Sequence, residues 1–255
     1  MPGDDEDGFD RRPLHERIAA ELRDEILGGE LEPGASLPST ARLTERFRAS
    51  NATVQKAVQV LKDERLVVGR AGAAVTVRAH RQQTVRPADF GRPAGPGEPY
   101  RWLTEAERQG RRPSIRLVEV AEARPSRDAA VALGLADDGT AVMRRQILSH
   151  DGDPMEMVTS YYPLDLAQGT ALAEARRVPG GTPVLLAGLG YPPLRTVDRV
   201  SARVPTQQQY EALRLPSDLP VLRTLRVVYS VGDRPIEVTV MVKASHLYEL
   251  QYEFD

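Results

Sequence analysis

Apolar residues recur at Leu14, Ile18, Leu22 and Ile26, a four-residue spacing that puts them on one side of a helix closed by Gly28-Gly29. Glycine accepts the left-handed backbone that a helix terminus often needs. Ser39 stands where an N-cap belongs, and Leu43 with Phe47 gives a short second helix its buried stripe before the turn at Ala49-Ser50. From Asn51 a third helix separates into two faces at about 100° per residue. Val54, Ala57, Val58 and Leu61 fall on one side, and Asn51, Gln55, Gln59 and Lys62 on the other. Leu66-Val67-Val68, the turn Gly69-Arg70-Ala71-Gly72 and Val75-Thr76-Val77 then predict a two-stranded wing with Arg70 at its tip. Three helices followed by a wing read as a winged helix-turn-helix, so the chain is expected to bind double-stranded DNA.

The second half changes period. Ile115–Ala121, Ala141–Leu148, Met155–Tyr161, Arg195–Val204, Val221–Tyr229 and Ile236–Val242 read as strands. Short helices are expected near Trp102–Ala106, Ser126–Leu133, Leu172–Ala175 and Thr206–Leu213. The turns His150-Asp151-Gly152-Asp153 and Gly232-Asp233-Arg234 each join two strands, which makes the sheet mainly antiparallel and the domain α+β. Between the halves, Pro87, Pro93, Gly95, Pro96, Gly97 and Pro99 occur with almost nothing apolar, as a semi-extended linker would. The expected organisation is an acidic tail over residues 1–10, a DNA-binding domain over 11–78, a linker over 79–99 and a second domain over 100–255.

Charge sharpens this. The whole chain has 34 Lys and Arg against 36 Asp and Glu, which excludes a generally basic nucleic-acid coat protein. Residues 33–81, however, carry nine basic side chains against the three acids Glu45, Asp63 and Glu64. The acidic run Asp4, Asp5, Glu6, Asp7 and Asp10 reads as a solvated, disordered tail. Absence of cysteine removes a disulfide framework, a zinc finger and a thiol nucleophile, and the four scattered histidines suggest no metal motif. No cofactor is expected. Without a long apolar run or a basic-plus-apolar leader, the chain is expected in the cytoplasm and away from membranes.

An outward Asn or Gln on a helix is ordinarily just solvated surface, but here the helix is the third of a winged motif. Asparagine and glutamine can donate to and accept from adenine at once, and a recognition helix reads bases from its N-terminal turns. Asn51 and Gln55 are therefore the candidate base readers, and Arg70 can reach a phosphate or the minor groove. The full set assigned to DNA is Ser39, Thr40, Arg42, Ser50, Asn51, Thr53, Gln55, Lys56, Arg70 and Gly72.

Pro13-Leu-His-Glu-Arg-Ile, Gly34-Ala-Ser-Leu-Pro-Ser, Ser50-Asn-Ala-Thr-Val-Gln-Lys-Ala and Gly69-Arg-Ala-Gly resemble the N-terminal domain of GntR-family bacterial transcription regulators. Arg111-Arg-Pro-Ser114, Asp151-Gly-Asp-Pro154, Ser160-Tyr-Tyr-Pro163, Gly180-Gly181, Pro220-Val-Leu and Pro235-Ile-Glu237 follow in the order expected of the UTRA effector domain of the HutC subfamily. The resemblance implies a homodimeric repressor whose effector domain, similar in fold to chorismate lyase, binds a small molecule and alters the spacing of two DNA heads. Such a dimer reads an inverted-repeat operator.

The departures carry information too. Where that family commonly has an acid after Pro-Ser, an arginine after the turn serine and an arginine after Thr-Val, this chain has Thr40, Asn51 and Gln55. Arginine reads guanine and amides favour adenine, so an A·T-richer operator core is expected. In the effector domain, the family's Arg-x-Arg and Glu positions align with Gln146, Leu148 and Val158, with Arg144 and Arg145 displaced. Lacking that guanidinium fork, the site is expected to hold a less charged ligand than a sugar phosphate, or none. Candidate pocket residues are Gln146, Ser160, Tyr161, Arg195, Arg203, Tyr229 and Glu237; the last lies in a strand between apolar Ile236 and Val238. Two further readings are a ligand-independent DNA-binding dimer and an enzyme of the lyase-like fold. The second lacks a convergent acid–base set, so no catalytic residue is assigned.

Overall fold

The computed structural model describes residues 10–69, 74–78, 82–87, 98–216 and 219–254, and the chain divides into two compact units between Gln82 and Gln83. In the first unit, helices α1 (Leu14–Gly28), α2 (Thr40–Phe47) and α3 (Asn51–Asp63) precede the strand pair β1 (Val67–Val68) and β2 (Thr76–Val77). The stripe foreseen for α1 is buried, with Ile18 and Leu22 at 0% exposure, and it closes on Leu43, Val54, Ala57 and Leu61. Gly29 ends α1 in the left-handed conformation, φ 86°, with its N–H on the carbonyl of Ile26. β1 and β2 pair antiparallel, Val67 opposite Val77 and Val68 opposite Thr76, which makes the base of the wing. Arg70 and Gly72, the acidic tail through Phe9 and most of the proline-rich stretch lie outside the described residues.

The second unit is a six-stranded, wholly antiparallel sheet. Its strands are β4 (Pro113–Ala123), β5 (Ala141–His150), β6 (Asp153–Tyr162), β7 (Arg195–Arg203), β8 (Val221–Tyr229) and β9 (Pro235–Ala244), ordered β4-β5-β6-β9-β8-β7. All six are the strands the alternation predicted: β4, β5, β6 and β9 run a few residues longer, β8 has the expected bounds and β7 ends one residue earlier. The hairpin turns at Asp151-Gly152 and Val231–Asp233 place β6 after β5 and β9 after β8.

Side chains alternate between faces along each strand. One face is apolar: Met143, Tyr161, Leu225, Val227 and Val238 pack under α5 (Arg127–Leu133). Ile147, Met157, Val221 and Val242 on the same face pack with Leu213 of α8 (Gln207–Leu213). The opposite face carries most of the sheet's buried polar residues and is covered rather than solvated.

Its cover comes from α4 (Arg101–Arg108), α6 (Leu164–Ala167), α7 (Thr182–Gly188) and a parallel strand pair, β3 (Gln83–Val85) with β10 (Tyr248–Leu250). The sequence did not announce α6, α7 or the β3–β10 pair. Gln83–Val85 fall in the stretch read as linker, yet they are paired and Val85 is buried against Met155 and Tyr248. The helix expected over Leu172–Ala175 is absent and the chain runs there as turns. The Arg144 guanidinium accounts for this, because it takes the carbonyls of Ala171, Leu172, Glu174 and Arg176. Carbonyls held by an incoming guanidinium are not aligned for the i to i+4 ladder.

Candidate functional site

Two surfaces carry the predicted residues. In the first unit, Ser39 caps α2, its hydroxyl accepting from the Arg42 N–H at 3.3 Å. Ser50 caps α3, accepting from the Thr53 N–H at 3.2 Å, with the two hydroxyls 2.8 Å apart. These caps satisfy N–H groups that each helix start leaves unpaired. Gln55 donates from its amide to the Thr40 hydroxyl at 3.2 Å, which ties the start of α2 to the second turn of α3 and orients the Gln55 side chain. Asn51, Gln55, Lys56 and Arg42 are exposed, while Thr40 and Thr53 are half-buried. The structure thus gathers Ser39, Thr40, Arg42, Ser50, Asn51, Thr53, Gln55 and Lys56 around the N-terminal ends of α2 and α3. Some of their hydroxyls serve the fold rather than standing free.

In the second unit, the covered sheet face lines a partly open cavity of about 150 Å³. Strand parity decides what lines it. Gln146 of β5, Ser160 of β6 and Glu237 of β9 all point in, as the sequence reading expected. Four candidates do not. Tyr161 faces the opposite way and packs under α5, as any strand neighbour of Ser160 must. Tyr229 belongs to that same apolar layer, with the Arg195 guanidinium stacked 4.0 Å from its ring centroid. Arg195 itself pairs with Asp233 at 2.7 Å on the exposed edge strand β7, and Arg203, also on β7, is exposed and donates to Ser201.

The cavity gathers charged residues that sequence reasoning missed. Lys243 lies 2.9 Å from Glu156, each about 5% exposed, and Tyr248 donates its hydroxyl to the other Glu156 oxygen at 3.2 Å. Arg226 grips Asp198 with two parallel bonds of 2.8 and 2.7 Å and also reaches the Pro87 carbonyl. Burial disfavours the Arg226 charge, but the Asp198 carboxylate outweighs it and raises the pKa. Arg144 is 1% exposed, and burial lowers its pKa. Gly181 completes the wall at φ 87°; a Cβ there would lie 2.8 Å from the Tyr100 ring, so only glycine lets that ring close over the cavity. Burial pushes the Tyr100 phenol up to about 12, so it stays a neutral hydrogen-bonding group.

Glu237 differs from the other acids. Its carboxylate accepts from Thr239 at 2.6 Å and Ser160 at 3.3 Å but forms no ion pair among the described residues. Burial raises its pKa above the ordinary 4.5, with Thr239, Arg226 and Ser160 opposing only in part. A carboxyl whose folded pKa is raised contributes stability below its unfolded value and loses it as pH climbs through the folded value. Glu237→Gln is therefore expected to raise the melting temperature of the second unit near neutrality. The gain should shrink as pH falls toward about 4.5, which calorimetry across that range measures.

Among the described residues no group of His, Asp or Glu side chains is arranged to hold a metal ion, and no helix is long and apolar enough to cross a membrane.

Comparison with known proteins matches each unit to a family model. Residues 108–249 match the family model described as UTRA domain, and residues 14–77 that of bacterial regulatory proteins, gntR family. The uncharacterized HTH-type transcriptional regulator SCO4628 of Streptomyces coelicolor is 25% identical over 253 residues, covering 96% of this chain and 93% of its own. The HTH-type transcriptional regulator GgaR of Escherichia coli is 24% identical over 94% of this chain and 90% of its own. The crystal structure of PhnF from Mycobacterium smegmatis superposes with a TM-score of 0.56 at 21% identity, over 93% of this chain and 99% of that one.

Proposed function

The chain belongs to the transcriptional regulators that join a GntR-type DNA-binding head to a UTRA effector domain, and from that membership we propose that it is a homodimeric repressor of an inverted-repeat operator, released by a small molecule in the second unit. Regulators of this kind bind DNA operators, UTRA domains bind small-molecule effectors, and the relatives are regulators rather than enzymes. The observation that carries the operator reading is the outward Asn51–Gln55 face of α3, braced through Thr40 at the end where a recognition helix meets base edges. Two such heads related by a two-fold axis would read half-sites about one helical turn apart. The partly open cavity beneath the roofed sheet face favours an effector-responsive dimer over one that ignores ligands. By linkage, a ligand preferring the dimer geometry that misfits the operator must be weakened by DNA to the same degree, with coupling of about 1–3 kcal/mol.

Fluorescence anisotropy against DNA flanking the protein's own gene, with random DNA as competitor and at several salt concentrations, tests this. Asn51→Ala and Gln55→Ala should each cost about 1–3 kcal/mol of specific binding, at A·T positions, while leaving non-specific binding intact. Lys56→Ala should weaken all sequences alike and reduce the salt slope by about one. Selection from random DNA that returned a G-centred half-site indifferent to both amide substitutions would sink the base-reader assignment.

A further inference from the structure

We propose that Thr40, in the first turn of α2, determines which base Gln55 of α3 reads: its hydroxyl holds one N–H of the Gln55 amide, so that the side chain accepts adenine and refuses guanine. This inference rests on the base-reader assignment above and adds a positioning residue to it.

The hydroxyls around this surface are not equivalent. Ser39 spends its oxygen on the Arg42 N–H, and Ser50 spends its own on the N–H and hydroxyl of Thr53. Thr40 stands next to the capping residue and takes no part in the cap. Its oxygen instead accepts from the Gln55 amide at 3.2 Å, across 15 positions of chain and between two helices. The anchor is stiff, because a β-branched side chain has few χ1 choices and the backbone beneath it is fixed by the Ser39 cap. The two other amides of the outward face differ. Gln59 donates at 2.7 Å to Asp63 within its own helix, toward the end away from the turns that meet bases. Asn51 is exposed and makes no side-chain hydrogen bond among the described residues, so its amide is free to turn.

A glutamine amide has two N–H donors and one carbonyl acceptor. With one N–H on Thr40, a single donor and the carbonyl remain for the groove. Adenine presents an acceptor at N7 and a donor at N6, which that pair complements. Guanine presents acceptors at both N7 and O6, so the same amide sets its carbonyl against an acceptor. To read guanine the amide must turn, and turning breaks the bond to Thr40. The bond gains weight at the interface. In the free protein Gln55 is exposed, and water can replace Thr40 as acceptor. Once a base edge covers the amide, water is excluded, and a spare N–H without an acceptor carries the penalty of an unmade hydrogen bond. Thr40 thus acts in the complex more than in the free chain, and at one base position.

Selection from random DNA tests this on the full chain with the parent, Thr40→Val, Thr40→Ser, Gln55→Ala and the double variant Thr40→Val/Gln55→Ala. The selected site is then titrated by fluorescence anisotropy with A·T or G·C at the position whose preference Gln55→Ala relaxes. The ratio of A·T to G·C affinity there should fall about fivefold or more in Thr40→Val, the lower end of what one bidentate base contact discriminates. Thr40→Ser keeps the acceptor and should keep most of the ratio. In the Gln55→Ala background, Thr40→Val should leave the ratio where it is, because a residue that acts through Gln55 has nothing left to position. A ratio at one position is blind to loss of folded protein, which weakens every sequence alike, so a merely structural Thr40 does not give this pattern. An unchanged ratio in Thr40→Val, an equal loss on all sequences, or a loss of ratio that persists without Gln55 would overturn the proposal while the base-reader assignment stands. A guanine preference that Thr40→Val abolishes would overturn it too, since the hydroxyl would then be donating to the amide oxygen. Selection in which Gln55→Ala relaxes no position would remove the reader itself, and this inference with it.

Discussion

Arg23→Met is expected to unfold the DNA-binding unit while the effector unit stays folded. Arg23 of α1 clasps Glu64, just past the end of α3, through bonds of 2.8 and 2.6 Å, and the Glu64 side chain is 0% exposed. Removing the guanidinium strips a buried carboxylate of its bidentate partner, for which the penalty is about 3–5 kcal/mol. Arg23 is 21% exposed, so water reaches the pair and the lower end of that range applies. A head this small has only a few kcal/mol to lose. Its core is separate from that of the sheet unit. Thermal scans should therefore show the first transition shifted to low temperature and the second unmoved, with operator binding lost at growth temperature. The double variant Arg23→Met/Glu64→Leu should recover much of the stability, because two apolar groups replace the pair without leaving a charge behind. Recovery of folding without recovery of the single-variant loss pattern, or a single variant as stable as the parent, would show that the pair does not hold α1 against α3.

The head was readable because every element announces itself locally. The four-residue stripe of α1, the serine caps at 39 and 50 and the two-faced α3 depend on neighbours a few residues away. The six strands were readable for the same reason. The pocket was not, and the cause is parity rather than composition. Glu156-Val158-Ser160, Thr224-Arg226-Val228 and Glu237-Thr239-Met241-Lys243 each put polar groups on alternate positions opposite an apolar set. That pattern ordinarily marks a solvated sheet face. Here the face is roofed by α4, α7 and the β3–β10 pair, which depend on contacts far apart in sequence. Strict use of the two-residue period would have excluded Tyr161 once Ser160 was chosen, and would have promoted Glu156 in its place. Arg195 and Arg203 share a strand with Asp198, but β7 is the sheet edge and only Asp198 of the three lines the cavity.

Lys243→Met is expected to be the most damaging substitution in the effector unit. Lys243 and Glu156 face each other across β9 and β6 in register, and both side chains are 5% exposed, so neither end of the pair is rescued by water. Deleting the ammonium leaves Glu156 with the Tyr248 hydroxyl at 3.2 Å as its remaining described side-chain partner. A loss of about 3–5 kcal/mol follows, read as a lower urea midpoint at unchanged slope. The roof should suffer with it, because Tyr248 begins β10, whose only described strand partner is β3. Hydrogen exchange at Thr84 and Val85 should therefore quicken in the variant before the sheet itself opens. Glu156→Leu/Lys243→Met removes both charges together and should restore most of the stability. If the pair serves the fold alone, that double variant keeps its ligand response. If Lys243 also holds the effector through a spare N–H, stability returns but the response does not, and the cycle separates the two roles.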